Sequence, residues 1–139
     1  MSEKSQLQNK ISKKQTELQN SCSRVSSLNG RIERIKAIIQ EFTDFKSDIK
    51  DLKSNGKSIA GKEYDYWNGD RFDKYKDKLS DNLINGSLSD YISKIDRNLD
   101  DLNDELMRLQ NEVYSSEGFI GMLKSDINWL KTKIENLVN

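Results

Sequence analysis

Residues 88–138 read LSDYISKIDRNLDDLNDELMRLQNEVYSSEGFIGMLKSDINWLKTKIENLV. Slots alternating by three and four pick out Ile92, Ile95, Leu99, Leu102, Leu106, Leu109, Val113, Ser116, Ile120, Leu123, Ile127, Leu130, Ile134 and Leu137. Thirteen of these fourteen are apolar, where a chain 34% hydrophobic would place about five by chance. A seven-residue apolar repeat sustained over this length specifies one long helix with a coiled-coil seam. Ser116 is its polar notch.

The N-terminal arm carries the same repeat at Leu7, Ile11, Lys14, Leu18, Ser21, Val25, Leu28, Ile32, Ile35, Ile39, Phe42, Lys46 and Ile49. Its polar slots, Lys14, Ser21 and Lys46, predict weak or wet points in the seam. The register holds across Asn29-Gly30, which points to one helix there rather than two. A second stripe, Ile38, Phe45 and Leu52, widens the apolar face toward the end of the arm. That widening predicts a third element, or a partner, packing on it.

Between the arms, Asn55-Gly56 and Gly61 are expected to end the first helix, because Gly commonly follows a helix end. Phe72, Tyr75, Leu79 and Leu83 recur at helical spacing and give a short amphipathic helix that Asn85-Gly86 interrupts. Ser87 or Ser89 can cap the final helix. The expected fold is all-α. It is an elongated antiparallel helical hairpin with one extra short helix, in a single domain: a long helix over 3–54, a linker over 55–69, a short helix over 70–84 and a long helix over 88–138. Each arm of about 50 residues would reach about 75 Å.

Charge supports the pairing. Residues 1–54 hold eleven Lys/Arg against seven Asp/Glu, and residues 88–139 hold six against ten. Opposite signs favour arm one on arm two over like on like.

The inventory for chemistry is thin. There is no His, no Pro and a single Cys, so the commonest general base, the commonest zinc ligand and an internal disulfide are all missing. Asp100, Asp101, Asp104 and Glu105 have the spacing of a solvated helix surface. Cys22 adjoins the seam and reads as a small packing residue. No catalytic residue, cofactor or metal is expected. Zero net charge removes the global basic field that nucleic acid attracts. No apolar run is long enough for a membrane span. The opening MSEKSQLQNK lacks the apolar stretch of a general secretory signal.

One short segment stands apart, Tyr66-Trp67-Asn68-Gly69-Asp70. A Trp at a helical turn can cover two helix ends, a Gly permits close backbone approach, and Asp70 favours the start of the next helix. Taken alone, these residues make a structural staple. Trp67-Asn68-Gly69 is also similar to the WXG signature of small helical proteins handled by type VII secretion in Gram-positive bacteria. The layout of arm, linker, Trp-x-Gly, aromatic helix and second arm resembles, over nearly the full chain, the YwqH-like family of proteins encoded beside LXG-domain toxins. That resemblance implies binding to the helical N-terminal domain of an LXG toxin as a targeting or secretion partner. It implies a cytoplasmic protein, with co-export through the type VII system as a further option. The Tyr-x-x-x-Asp/Glu export signal of such pairs has no match in the final helix, where Tyr114 is followed four on by Gly118. Only Tyr66 to Asp70 fits, inside the turn itself, so a partner would have to supply the signal.

A candidate docking strip lies on the final helix away from the seam: Met107, Tyr114, Met122 and Trp129, with Gly118 and Gly121 among them. Met and aromatic residues suit a partner helix, and glycines let its backbone come close. The partners expected are the toxin, a second small helical protein or a second copy of the chain. The alternative function is a general coiled-coil adaptor or prefoldin-like holdase. It is disfavoured because residues 54–87 lack strand alternation. A phage or cytoskeletal coiled coil is more distant still.

Overall fold

The computed structural model describes the backbone of residues 2–61 and 70–138 and the side chains of residues 2–58 and 73–137. α1 spans Glu3–Gly61, α2 Asp70–Asp77 and α3 Ser89–Val138, with a π-helical segment, Lys78–Leu88, joining α2 to α3. No strand occurs among the described residues, and the fold is all-α. Ser2 caps α1: its Oγ accepts a hydrogen bond from the Ser5 N–H at 3.1 Å, satisfying one of the four orphan donors at the helix start.

The chain divides into two compact units, one of residues 1–35 with 105–139 and one of residues 36–104. In the first, α1 and α3 pair antiparallel through two apolar clusters. Leu7 and Ile11 pack with Ile127 and Leu130, flanked by Leu18 and Ile134. Leu28 and Ile32 pack with Leu109 and Val113, flanked by Val25, Ile35 and Leu106. In the second unit Ile49 packs with Leu88 and Ile95, and Phe42, Ile92 and Leu99 close around them. Burying each such side chain stabilises by roughly 1.5–3 kcal/mol, which is what holds the pairing. Every seam slot expected on α1 is buried or half-buried, as is every slot on α3 except the terminal Leu137.

The two lysine slots have ionic partners. Lys14 Nζ lies 3.3 Å from Asp126 in the first unit, and Lys46 pairs with Asp96 in the second. Ser21 and Ser116, the two hydroxyl notches, line one shallow groove of about 560 Å³ between the two apolar clusters of the first unit.

Two expected breaks are absent. α1 does not stop at residue 54 but continues through Asn55-Gly56 to Gly61. The reason is packing: Gly56 is buried, and a Cβ at that position would lie 3.2 Å from both Cγ1 and Cδ1 of Ile84. The missing side chain makes room for Ile84, which is 1% exposed. Nor does Asn85-Gly86 interrupt the chain. The short helix expected over 70–84 gives way after Asp77 to the π-helical winding, which runs through Gly86 into α3. There a Cβ on Gly86 would meet the Asp81 carbonyl oxygen at 3.2 Å. Ser89, one of the two expected N-caps of the final helix, is itself helical at φ −65° and ψ −37° and instead closes the π-helical segment. Its backbone N–H bonds to the Gly86 carbonyl. Its Oγ donates to the Ile84 carbonyl at 2.9 Å and accepts from Lys53 Nζ, also at 2.9 Å.

Candidate docking surfaces

In the first unit one flank of the seam is ionic. Arg24 and Arg31 stand one residue before the seam residues Val25 and Ile32, and Glu112 and Glu105 stand one residue before Val113 and Leu106. Arg24 Nη2 lies 3.6 Å from Glu112, and Arg31 Nη2 lies 3.4 Å from Glu105. Arg108 joins the two rungs, donating to Glu105 through Nε at 2.9 Å and Nη2 at 2.6 Å, and pairing with Glu112 through Nη1. The Arg108 hydrogen bonds hold the Glu105 carboxyl below its usual range. Partial desolvation opposes this, and the charges of Arg108 and Arg31 reinforce it. Glu105 in turn raises Arg108. In all four ion pairs that join α1 to α3 described above, the cation is on α1 and the anion on α3. The charge split along the chain is thus realised contact by contact.

The same register position in the second unit is apolar. Ile38, Phe45 and Leu52 each stand one residue before Ile39, Lys46 and Lys53, and Tyr91 stands before Ile92. The expectation of a third element over the widened face is not met by the described residues. Ile38, Phe45 and Leu52 remain 39%, 53% and 55% exposed, and Tyr91 54%. The physical reason is that the seam closes on Phe42, Lys46 and Ile49, and this stripe points past it. Glu41 and Asp48 border the stripe: each lies three residues after one of its members and four before the next, and both are exposed. Glu41, Phe42 and Phe45 line a shallow depression there of about 210 Å³.

A second apolar face lies on α3 in the first unit. Met107, Tyr114, Met122 and Trp129 are 59%, 69%, 53% and 58% exposed, as expected for a strip away from the seam. Lys133 Nζ sits 4.5 Å from the Trp129 ring centroid. Gly118 and Gly121 are exposed, and a Cβ on either would meet nothing within 4 Å. Unlike Gly56, they make room for no group among the described residues. From Asn111 to Thr132 this outward face also includes Ser115, Ser125 and Asn128, all exposed, and it carries no charged residue. In a chain 33% charged, ten such positions would hold about three charges by chance, and charge depletion is a mark of interface cores.

Of the turn motif, Trp67 and Gly69 lie outside the described residues, and Asp70 is the first residue of α2. Cys22 is an exposed free thiol rather than a packed one. No group of three potential metal ligands occurs among the described residues, and no helix there is long and apolar enough to cross a membrane. The ionic ladder and the Gly56–Ile84 contact were not expected from sequence. The ladder is visible afterwards as Arg and Glu spaced seven apart, each just ahead of a seam residue. No protein-family model matches the chain, and neither does any curated protein or solved structure.

Proposed function

We propose that the chain is a non-enzymatic helical partner, a targeting or chaperone-like factor for the N-terminal helical domain of an LXG-type toxin bound for type VII secretion. One observation carries the binding role. The seam flank that is closed by Arg–Glu rungs in the first unit is an exposed apolar stripe, Ile38–Phe45–Leu52, in the second. Such a stripe, repeating every seven residues, suits an amphipathic helix laid alongside. Glu41 and Asp48 along its border favour Lys or Arg flanking the apolar positions of that helix. The toxin and the secretion route come from the resemblance of the Trp67-Asn68-Gly69 segment and of the chain's layout.

The test is co-expression with the N-terminal domain of an LXG toxin encoded beside this chain, followed by co-purification. A stoichiometric complex is expected. Phe45→Ser with Leu52→Ser should abolish it while circular dichroism keeps the helical signal, because both side chains are exposed. No complex with the parent chain, or an undiminished complex with the double variant, overturns the reading.

A further inference from the structure

We infer that the first unit contains a conformational device: residues 2–20 and 119–137 unzip together as one cooperative section at the paired serine notch, while the ladder-bound part of the unit stays folded. This does not rest on the toxin-partner reading, which concerns the Ile38 stripe of the other unit.

The seam of the first unit is unevenly built. Its two apolar clusters, around Leu28 with Leu109 and around Leu7 with Leu130, are separate. The polar slots Lys14, Ser21 and Ser116 all lie between them. A serine in a slot forgoes the burial that a leucine would gain there. Ser21 and Ser116 fall together, lining the same groove of about 560 Å³. The helix is weak at the same place. Gly118 and Gly121 closely follow Ser116, and Gly is the poorest helix former after Pro. A Cβ on either would meet nothing within 4 Å, so no packing contact among the described residues requires a glycine there.

The ionic ladder also stops here. One heptad beyond the Arg24–Glu112 rung stand Glu17 and Phe119, and a phenyl ring cannot continue an Arg–Glu series. Weak seam, weak helix and lost ionic flank therefore coincide, whereas Leu28, Ile32, Leu109 and Val113 are held by seam and ladder together. Leu123, 1% exposed, lies just past the gap and is the most deeply buried residue of the section. Most helical stability in a protein comes from tertiary packing. Once the packing around Leu123 breaks, both arms of the section lose their support at the same step, as a unit of local unfolding does. The opening uncovers Leu7, Ile11, Leu123, Ile127 and Leu130 and leaves the ladder-bound pairing in place. The chain can thus expose apolar seam without unfolding as a whole.

Native-state amide hydrogen exchange on the full chain, at low urea, is the test. Residues 7–18 and 122–134 should share one opening, more populated than the opening that exposes residues 25–34 and 105–114. Two variants separate this from the alternatives. Ile32→Val trims the ladder-bound cluster without abolishing the fold. It should speed exchange at residues 25–34 and 105–114 about fivefold and leave residues 7–18 and 122–134 unchanged. Gly118→Ala with Gly121→Ala should slow exchange about tenfold across the whole section, out to Leu7 and Ile134. If Ile32→Val speeds both sets of residues alike, the section opens only with the whole molecule and the inference fails. It fails equally if the alanines slow only the residues beside Gly121, because graded fraying of the chain ends, not a cooperative step, then exposes the rest.

Discussion

Gly56 and Ile84 are complementary in shape. The bare Cα of one receives the side chain of the other, with a would-be Cβ only 3.2 Å from Cγ1 and Cδ1. Gly30, on the same helix, has only Arg34 Nη1 near its would-be Cβ, at the ordinary distance of 3.6 Å. The two glycines should therefore respond oppositely to alanine. Gly30→Ala should raise stability by up to about 1 kcal/mol, the helix-propensity difference. Gly56→Ala gains the same term but pushes on an enclosed Ile84, and overpacking of about 1–3 kcal/mol should leave a net loss of roughly 1 kcal/mol. Urea denaturation of both variants checks this. The coupling is checked by Ile84→Val, which removes Cδ1 and should erase most of the Gly56→Ala cost in a double-mutant cycle. Equal stabilisation by both alanines would show that Ile84 simply moves aside.

Lys46 occupies a seam slot and is neutralised by Asp96. Its side chain is 25% exposed and that of Asp96 47%, so replacing the lysine does not strand a buried carboxylate. Lys46→Ile should stabilise the fold by about 1 kcal/mol, since apolar packing commonly outweighs a partly buried ion pair. The polar slot then matters for register rather than for stability, because a cation on α1 facing an anion on α3 favours this pairing over slipped ones. A lower denaturation midpoint for Lys46→Ile would instead assign the ion pair a net stabilising role.

Much of this architecture was legible in the sequence because a coiled-coil seam is a local, repeating signal. Ile95, Leu109, Leu123 and Leu130 can be picked by spacing alone, and each is buried. The charge split between the arms likewise announced Lys14–Asp126 and Arg31–Glu105 as a class of contact. What spacing could not show was why a glycine stands where it does. Gly56 answers to Ile84, far away in sequence, whereas a helix-stop signal is read from neighbours. Gly86 answers to the Asp81 carbonyl, which approaches only because the winding there is π rather than α. Exposure of the Ile38 stripe was also beyond sequence reading, because a widened apolar face looks the same whether the chain covers it or a partner does.

Ser89 ties the π-helical segment to α1. Its hydroxyl donates to the Ile84 carbonyl and receives Lys53 Nζ. Ser89→Ala removes both bonds and should cost about 1 kcal/mol. The loss should be local: amide exchange should accelerate through Lys78–Leu88 while the clusters around Leu109 and Leu130 keep their protection. Lys53→Met, which keeps the stem but not the charge, should reproduce only part of the effect, because the Ser89 to Ile84 bond survives. Uniform acceleration along α3 would contradict this placement.

The Arg24–Glu112–Arg108–Glu105–Arg31 ladder makes stability pH-dependent with a definite sign. Glu105 is held below its ordinary value of 4.5, first by hydrogen bonds from Arg108 and then by the charges of Arg108 and Arg31. A carboxyl whose folded value is depressed contributes stability that is complete above its unfolded value. That contribution is lost as pH falls through the folded one. Glu105→Gln should therefore melt below the parent at neutral pH, and the gap should close as the solution is acidified below 4.5. Because the ladder is solvent-exposed, added salt should narrow the neutral-pH gap as well. Arg108→Gln should mimic Glu105→Gln in both respects, since Arg108 touches both acidic members of the ladder. A gap between parent and Glu105→Gln that persists unchanged into strong acid would mean that the side chain acts through packing, not through its charge.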